Sequence, residues 1–456
     1  WAMPVIAVFM LLQVLDGGAI SYAMGGWQPP IGIEYRVDLL SGFVLLLVSA
    51  VGAVMLPYAN LSVESEVAEG KRAWFYALYL LCLAGLLGIT ITGDAFNAFV
   101  FLEISSLATY AMISLGSDRR ALLAAYQYLI VGTIGATFYV IAIGILYSMT
   151  GTLNMVDLAG RISEVQSVRP IFTALAFLTV GVSLKFALFP LHSWLPNAYA
   201  YAPTFATAFL ASTATKAAVY LILRFFFTVY GVSLVFGHAL VQDMLLILSV
   251  VAMFAASLVA VFQENIKRML AYSSVAQIGY ITLGVSMVNV NGLTGGIVHL
   301  ANHAVTKGAL FLAIGGIVYR MGAARLSDFS GIGRVMPYTM AGFVIAGLSI
   351  VGVPGTAGFI SKWYLAIGAL DRGYWWLVIL LVISSLIAVM YIGRVVEVAY
   401  FREPKGKVLE ATEMPLSMLI PAWVMILATI YFGIETSWTA GIARRAAEVM
   451  LLGTPQ

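Results

Sequence analysis

Four lysines lie inside long apolar runs of the sequence, where a charged side chain requires a physical reason. They are Lys185, Lys216, Lys307 and Lys362. A lysine at the centre of a membrane-spanning helix costs about 2.5 to 3.5 kcal/mol on insertion scales. One acidic residue, Glu103, lies at a comparable depth, in the run FNAFVFLEISSLATYAMISLG. Four buried lysines with one buried glutamate indicate groups that take up and release protons.

A carboxylate beside a buried lysine can control the protonation of that lysine. Burial favours the neutral form of lysine, whereas a carboxylate at 4 Å favours the charged form by about 4 kcal/mol at an effective dielectric near 20. We therefore predict that Glu103 and Lys185 lie on neighbouring helices as a switchable ion pair. The alternative is structural: each lysine snorkels or binds a backbone carbonyl, and Glu103 is satisfied by Ser105 or Thr109. Arg224 is close enough to a helix end to snorkel.

Two histidines and a lysine share one predicted helix face. His299, His303 and Lys307 recur every fourth residue in GGIVHLANHAVTKGALFLAIGG. Imidazole titrates near neutral pH, so this face could pass protons between the lysines. Histidines at i and i+4 can also bind zinc or haem, but Leu300 follows His299 and that helix carries no carboxylate. We therefore expect a relay and no metal; His192, beside Pro190, is expected to brace a broken helix.

The composition excludes the soluble classes of protein. The chain has 456 residues, of which 62% are apolar and 10% are charged, and its mean hydropathy is +0.98. Such a chain cannot cover its surface with polar groups in water, so it is a multi-spanning membrane protein. The single cysteine, Cys82, excludes an internal disulfide, an iron–sulfur cluster and a thiolate zinc site. A net charge of +3 gives no support for a nucleic-acid partner.

The apolar runs predict an all-α polytopic membrane protein. The runs are continuous and lack the period-two alternation of a membrane barrel. Thirteen crossings are predicted: Ala2–Tyr22, Val37–Tyr58, Ala73–Thr92, Phe96–Leu115, Ala121–Tyr147, Ile171–Ala200, Thr204–Tyr230, Leu240–Phe262, Met269–Val288, Thr294–Tyr319, Val335–Leu370, Tyr374–Tyr400 and Pro415–Tyr431.

Two of these segments are interrupted by proline and carry a buried lysine. They read VSLKFALFPLHSWLP over Val182–Pro196 and GVPGTAGFISKW over Gly352–Trp363. Paired broken helices are typical of inverted repeats around an ion site in the middle of the membrane. We predict N-terminal helices over 1–72, a first repeat over 73–230, a second repeat over 240–400, and a C-terminal loop, helix and tail over 401–456.

Basic residues in the connections predict the orientation. The even-numbered connections hold about twice as many lysines and arginines as the odd-numbered ones, so they are expected on the cytoplasmic side and the C-terminus outside. The sequence begins with Trp1 inside an apolar run, so we expect a further N-terminal segment before it. No basic stretch precedes Ala2–Tyr22, so this run is not interpreted as a signal peptide.

Several motifs resemble a known family of membrane proteins. The strings LKFALFPLHSWLPNAYAYAPT, STATKAAVYLILRF, ENIKRMLAYSSVAQIGY, HLANHAVTKGALFL and PGTAGFISKW are similar to the antiporter-like subunits shared by respiratory complex I, membrane-bound hydrogenases and Mrp-type cation/proton antiporters. The strings MGGWQPPIGIEYRVDLLSGF and TGDAFNAFVFLE most resemble the D subunit of the Mrp-type multisubunit sodium/proton antiporter. The similarity runs in order from about Gly25 to Tyr431.

The resemblance implies fourteen helices, including one before this sequence, and two inverted five-helix repeats. By motif, Glu103 matches the family's key glutamate, and Lys185 matches the lysine at the first broken helix. Lys216 matches the lysine on the following helix. In the family these residues take part in proton translocation.

The second half carries the remaining motif residues. His299, His303 and Lys307 match the family's central relay, and Lys362 matches the lysine of the second broken helix. The sequence departs from the pattern at Tyr199, where many complex I relatives have a histidine. This departure favours the Mrp side and argues against a histidine contribution at that point.

The expected function is that of an ion-translocating subunit of an Mrp-type antiporter, a secondary transporter and not an enzyme. It would act with other membrane subunits in a prokaryotic inner membrane, on protons and a monovalent cation expected to be sodium, and without a cofactor. Two alternatives stay open. The same relay could serve a redox-driven pump in complex I or a hydrogenase, or the chain could be a haem-binding oxidoreductase using His192 with His299 or His303, which a Soret band would reveal.

Overall fold

The computed structural model describes residues 1–237, 239–322 and 324–452, and these residues are almost entirely helical. The last four residues of the predicted segment 401–456 lie outside this part of the chain. Helices α1 to α19 span Ala2–Gly17, Leu39–Glu66, Arg72–Ile91, Ala95–Ser114, Arg120–Thr150, Met155–Ile162, Val168–Phe186, Leu195–Tyr201, Thr204–Leu223, Val232–Phe236, Ala239–Val261, Ile266–Ser286, Val290–Met321, Ile332–Val335, Pro337–Val351, Ala357–Asp371, Trp375–Phe401, Leu416–Ile434 and Ser437–Leu452.

The thirteen predicted crossings each coincide with one or two of these helices, which confirms the all-α membrane architecture. Within the described residues, 10 helices are long and apolar enough to span a membrane. The remaining crossings fall on α1, which is short, on α12, which is more polar, and on α15 with α16.

The two predicted helix breaks are confirmed. The run Ile171–Ala200 divides into α7 and α8, and Val335–Leu370 divides into α15 and α16. Pro190 and Pro354 lie in the non-helical segments between the members of each pair. Because proline supplies no N–H group, each break leaves backbone carbonyls that need a donor.

One short β-hairpin, which the sequence did not predict, lies in the connection between α1 and α2. Strand β1 (Ile20–Ala23) pairs antiparallel with β2 (Glu34–Val37), with Ile20 opposite Val37. The intervening sequence MGGWQPPIG holds paired glycines and paired prolines, which end the helix and turn the chain. Buried Glu34 accepts hydrogen bonds from Ser21 at 2.6 Å and from Asn154 at 2.7 Å, and these bonds hold the hairpin against the bundle.

Alternate connections meet at two opposite ends of the bundle. At the end that we call the hairpin face, the Gly93 amide donates to the Glu34 carbonyl at 2.8 Å and the Met155 amide donates to the Gly93 carbonyl at 2.8 Å. At the opposite face, the Ile266 amide donates to the Ala324 carbonyl at 2.8 Å. The sequence places the odd connections at the first end and the even ones at the second. Which end faces the cytoplasm stays a prediction.

Helices α9 and α13 form the centre of the bundle. The apolar window of α13 is buried over its whole length and that of α9 over 94%, whereas only 33% of the α17 window is buried. A membrane helix with no lipid-exposed face must satisfy every polar side chain within the protein. These two helices carry Lys216, His299, His303 and Lys307.

Two basic residues are more deeply buried than the sequence suggests. Lys267, which the sequence places in a connection, lies in the first turn of α12 with 4% exposure and donates to the Ala202 carbonyl at 2.7 Å. Arg224, which we expected to snorkel, is 9% exposed and forms an ion pair with Asp38. In both cases the partner comes from a distant part of the chain, so the local sequence could not indicate it.

A glycine permits the close contact between the two helices of the second break. A Cβ atom at Gly358 would lie 1.7 Å from the Ser349 carbonyl oxygen. We expect Gly358→Ala to destabilise the protein by about 1 to 3 kcal/mol or more, because the obstructing atom belongs to the backbone. Thermal unfolding followed by size-exclusion chromatography would measure this loss. The control is Gly144→Ala, where nothing lies within 4 Å of the added atom; equal stability of the two variants would contradict the packing argument.

Candidate functional site

Glu103 and Lys185 are in direct contact inside the bundle. The Lys185 Nζ lies 2.8 Å from Glu103 Oε1 and 2.9 Å from Ser106 Oγ. The exposed fraction of the side chain is 4% for Lys185 and 22% for Glu103. The predicted juxtaposition is therefore confirmed, whereas the switching role of the pair stays a prediction.

The first helix break positions this lysine. Lys185 lies in the last turn of α7, where unpaired carbonyls give the helix end a partial negative charge that favours a cation. The break is held by Trp194, whose indole donates to the Leu184 carbonyl at 2.9 Å and whose ring stacks on Tyr128 at 3.6 Å. The lysine side chain therefore projects from a fixed helix end towards α4.

Lys216 occupies the centre of α9 without a carboxylate partner among the described residues. It is 1% exposed and donates to the Ala211 carbonyl and to Thr215 Oγ1, the latter at 3.3 Å. Its charge acts on His303 and Lys307 of α13. Lys216 therefore lies within electrostatic range of α13, against which α9 packs.

A cavity of about 20 Å³ separates Lys185 from α9. Its walls include Lys185, Ser106 and Thr109 on one side and Ala214 and Ala218 on the other. A polar cavity of this volume can hold one water molecule. A single water molecule at this position would bridge Lys185 and α9, the helix that carries Lys216.

The predicted face of α13 is present, and its two histidines differ. His299 has a partner on each ring nitrogen, with Nδ1 2.8 Å from Ser361 Oγ and Nε2 2.9 Å from Gln277 Oε1. His303 is 2% exposed, and neither ring nitrogen has a hydrogen-bond partner among the residues that the structure describes. The two rings are nearly parallel, with centroids 6.2 Å apart. His303 therefore has both nitrogens available for transient water or lysine contacts.

Lys307 and Lys362 are held by backbone carbonyls and hydroxyls. Lys307 Nζ donates to the Leu270 carbonyl at 2.8 Å and to Ser273 Oγ at 2.9 Å. Lys362 Nζ donates to the Ile350 and Val351 carbonyls at 2.9 and 2.8 Å, at the C-terminal end of α15. Each half of the protein thus places a lysine at the end of a broken helix.

An aromatic ring connects Lys362 with the histidines. The Tyr280 ring centroid lies 4.8 Å from Lys362 Nζ and 5.4 Å from the His299 ring centroid. A cation over an aromatic face is stabilised by the ring quadrupole. The seven predicted residues therefore form a discontinuous polar line from Glu103 to Lys362, with Tyr280 as an intermediate member.

Sequence reasoning missed most side-chain partners of the predicted site residues. Ser106 binds Lys185, Gln277 and Ser361 bind His299, and the Tyr280 ring lies beside Lys362. Ser273 and Ser385 accept hydrogen bonds from Lys307 and Lys362 at 2.9 and 2.8 Å. Gln277 and Tyr280 belong to the string AYSSVAQIGY, where polar groups inside a spanning helix were the available signal. The serines gave no signal of their own, because serine is common in membrane helices.

The arrangement does not resemble a metal or haem centre. Among the described residues there is no group of three or more His, Cys, Asp or Glu side chains that could hold a metal ion. Both nitrogens of His299 are already hydrogen-bonded, and the His192 ring stacks on Phe189 at 5.1 Å. The charge of Lys216 near His303 would also repel a metal cation.

A helical membrane bundle with lysines at two broken helices is the arrangement expected of an antiporter-like membrane subunit, and the sequence comparison agrees. Residues 92–388 match the model of the NADH:quinone oxidoreductase/Mrp antiporter transmembrane family. The chain belongs to this family.

Relatives and solved structures of two kinds are similar to the chain. It is 42% identical to the N subunit of NADH-quinone oxidoreductase from Desulforudis audaxviator, over 94% of this chain and 87% of the relative. It is 30% identical to the D subunit of the Na(+)/H(+) antiporter from Alkalihalophilus pseudofirmus, over 94% and 86%. A chain of the Mrp complex from a Dietzia species superposes with a TM-score of 0.91 at 25% identity, over 99% and 91%. The family is shared between antiporters and redox-driven complexes, so membership alone does not choose between them.

Two substitutions at Glu103 test whether transport depends on the charge of this side chain or on its shape. Glu103→Gln keeps the shape and hydrogen bonding but removes the charge that holds the Lys185 proton, so we expect normal assembly and at least about tenfold slower transport. Glu103→Asp shortens the side chain by one methylene and should keep partial activity. Proton-coupled transport in vesicles carrying the whole complex, at matched subunit levels, measures both. A purely structural carboxylate predicts the reverse order, with Gln tolerated as well as wild type.

Proposed function

We propose that this chain translocates protons as an ion-transporting subunit of a heteromeric membrane complex. The observation that carries the proposal is the Lys185–Glu103 ion pair at 2.8 Å inside a helical bundle. Removing charges from water is costly, and apolar residues of similar volume would often be at least as stable. A charge pair at this position is therefore best explained by a function that uses the charges.

The proposed mechanism begins with separation of the pair. When Glu103 moves a few ångströms from Lys185, the ammonium loses an attraction of about 4 kcal/mol at an effective dielectric near 20. The proton can then pass through a water in the neighbouring cavity towards Lys216. Protonated Lys216 repels positive charge on His303 and Lys307, so loading of one half promotes release from the other.

We further propose that the chain contains two inverted functional halves, 73–230 and 240–400. Two parallels support this division. Lys185 lies in the last turn of α7, and Lys362 binds the last carbonyls of α15. Each half also places a second lysine on a central helix, Lys216 on α9 and Lys307 on α13.

The complex that we propose is an Mrp-type monovalent cation/proton antiporter of a prokaryotic inner membrane, with sodium as the expected cation and the C-terminus outside. The relatives named as D subunits of Na(+)/H(+) antiporters and the superposed chain of an Mrp complex support this choice. No enzymatic step is assigned to the chain, and its partners would be other membrane subunits.

A redox-driven complex is the second candidate. The 42% identity to a relative named as the N subunit of NADH-quinone oxidoreductase favours it. In that case the same relay would be driven by electron transfer in other subunits. The two candidates share the proton relay and differ only in what drives it.

The relay predicts a specific response to arginine. Arginine stays protonated in proteins, so Lys216→Arg and Lys307→Arg should block transport nearly as fully as alanine, although both retain the positive charge. His303→Gln keeps hydrogen bonding without titration and should lower transport strongly. Lys405→Arg, at an exposed position, is the matched control and should transport normally. Wild-type rates in the three relay variants would mean that these residues only pack.

The identity of the complex is tested by isolating it. We expect mass spectrometry of the intact native complex to find further antiporter subunits and no redox subunit, and the isolated chain to show no cation/proton exchange in vesicles. If flavin or iron–sulfur subunits co-purified with the chain, the redox-driven complex would be the correct assignment. Robust exchange by the isolated chain would contradict a function that depends on partners.

A further inference from the structure

A water-accessible cavity opens at the hairpin face beside the C-terminal end of α9. Its volume is about 400 Å³, and its walls include Thr92 and Gly93, residues 224, 227 and 228 just beyond the end of α9, and part of α19. Val156 and Thr228 line it and are exposed, so the cavity communicates with the surface. Nothing in the relay described above uses this cavity.

An ion pair forms part of the wall of this cavity. Arg224 Nη2 donates to Asp38 Oδ1 at 2.7 Å, and Nη1 donates to the other carboxylate oxygen, so the contact is bidentate. The side chains are 11% and 17% exposed. Bidentate arginine–carboxylate pairs are among the strongest and most directional polar contacts in proteins.

The groups behind the pair lead towards the relay. Arg224 Nη2 also donates to the Tyr220 hydroxyl at 3.1 Å, and that hydroxyl donates to the Thr90 carbonyl at 3.0 Å. Tyr220 is 1% exposed, so its hydroxyl, which contacts Arg224, is shielded from solvent. Lys216 and Tyr220 are spaced four residues apart on one face of α9, and Arg224 follows Tyr220 at the same spacing, at the start of the next helical turn.

The backbone at Arg224 has an unusual form. Residues Arg224–Val229 form a π-helical turn at the end of α9. Such turns interrupt the regular ladder and recur at functional sites. The guanidinium also has alternative partners nearby, since it lies 5.3 Å from the Tyr220 ring centroid and Nη1 lies 3.5 Å from Thr228 Oγ1. The arginine can therefore leave Asp38 without losing every favourable contact.

From this geometry we propose that the Asp38–Arg224 pair is a gate between the cavity at the hairpin face and the buried face of α9 that leads to Lys216. When it is closed, the bidentate pair excludes water from Tyr220. When it is open, water and protons from the hairpin face reach Tyr220 and, beyond it, Lys216. The role of the gate in transport rests on the proposed function, but its barrier role can be measured without transport.

Cysteine accessibility tests the barrier in the intact complex. The native Cys82 is buried and is replaced by alanine, so that each variant carries one cysteine. Thr90→Cys reports the space behind the pair, and Val156→Cys reports the open cavity. A positively charged methanethiosulfonate reagent is added to membranes from each side, and the labelled fraction is followed by mass spectrometry.

Asp38→Asn then weakens the ion pair while keeping the helix cap. Asp38 is the N-cap of α2 and accepts from the Ser41 amide at 3.0 Å, and asparagine caps a helix as well as aspartate does. We expect labelling of Thr90→Cys to be slow in the otherwise wild-type chain and about tenfold faster or more with Asp38→Asn, while Val156→Cys is unchanged. Arg224→Gln, which removes the other charge, should produce the same acceleration.

Two results would overturn the gate. Labelling of Thr90→Cys that is equally slow in both charge-neutralised backgrounds would show that the pair is not the barrier. Labelling as fast as that of Val156→Cys before any charge is removed would show that no barrier exists. Because these rates do not depend on turnover, an accelerated rate in a complex without any transport would contradict the proposed function and leave the gate intact.

Discussion

A charge inside a membrane bundle must be compensated by the protein itself, and this requirement explains the acceptors around the lysines and the breaks in two helices. Each lysine inside the bundle has an acceptor: a carboxylate for Lys185, and carbonyl oxygens for Lys216, Lys267, Lys307 and Lys362. Carbonyls are most available as acceptors where a helix ends or is distorted. The broken helices therefore help to accommodate lysines inside the bundle, and a proline lies in each break.

The lysines are compensated unequally, so in the proposed relay they differ in how easily they lose a proton. Lys185 has a full counter-charge, whereas Lys216, Lys307 and Lys362 have no carboxylate partner in the part of the chain that the structure describes and are held by dipoles. A dipole-compensated ammonium is more easily neutralised than a charge-paired one, because less attraction is lost with the proton. If Glu103 moved away, Lys185 would change from a charge-paired lysine into a dipole-compensated one. One carboxylate thereby controls the protonation of a line of groups that extends across both halves.

Local patterns in the sequence predicted the elements and the charged groups, whereas contacts between distant segments were not predictable. The spanning runs, both breaks and the charges at Glu103 and Lys185 followed from hydropathy, proline and the cost of a buried charge. The β-hairpin did not follow, because Glu34 is satisfied by Asn154 from far along the chain. The burial of Arg224 was missed for the same reason, since Asp38 lies 186 residues away.

The central claim is that the Glu103–Lys185 charges serve transport and not stability, and the doubly neutral variant Glu103→Gln with Lys185→Met separates the two. It leaves no unpaired buried charge at this site, so the complex should assemble with unchanged or higher thermal stability. Proton-coupled transport by this variant, in vesicles at matched complex levels, is the decisive measurement. We expect a stable complex without transport. Transport at the wild-type rate would contradict it, because the pair would then be only one way of filling the space between α4 and α7.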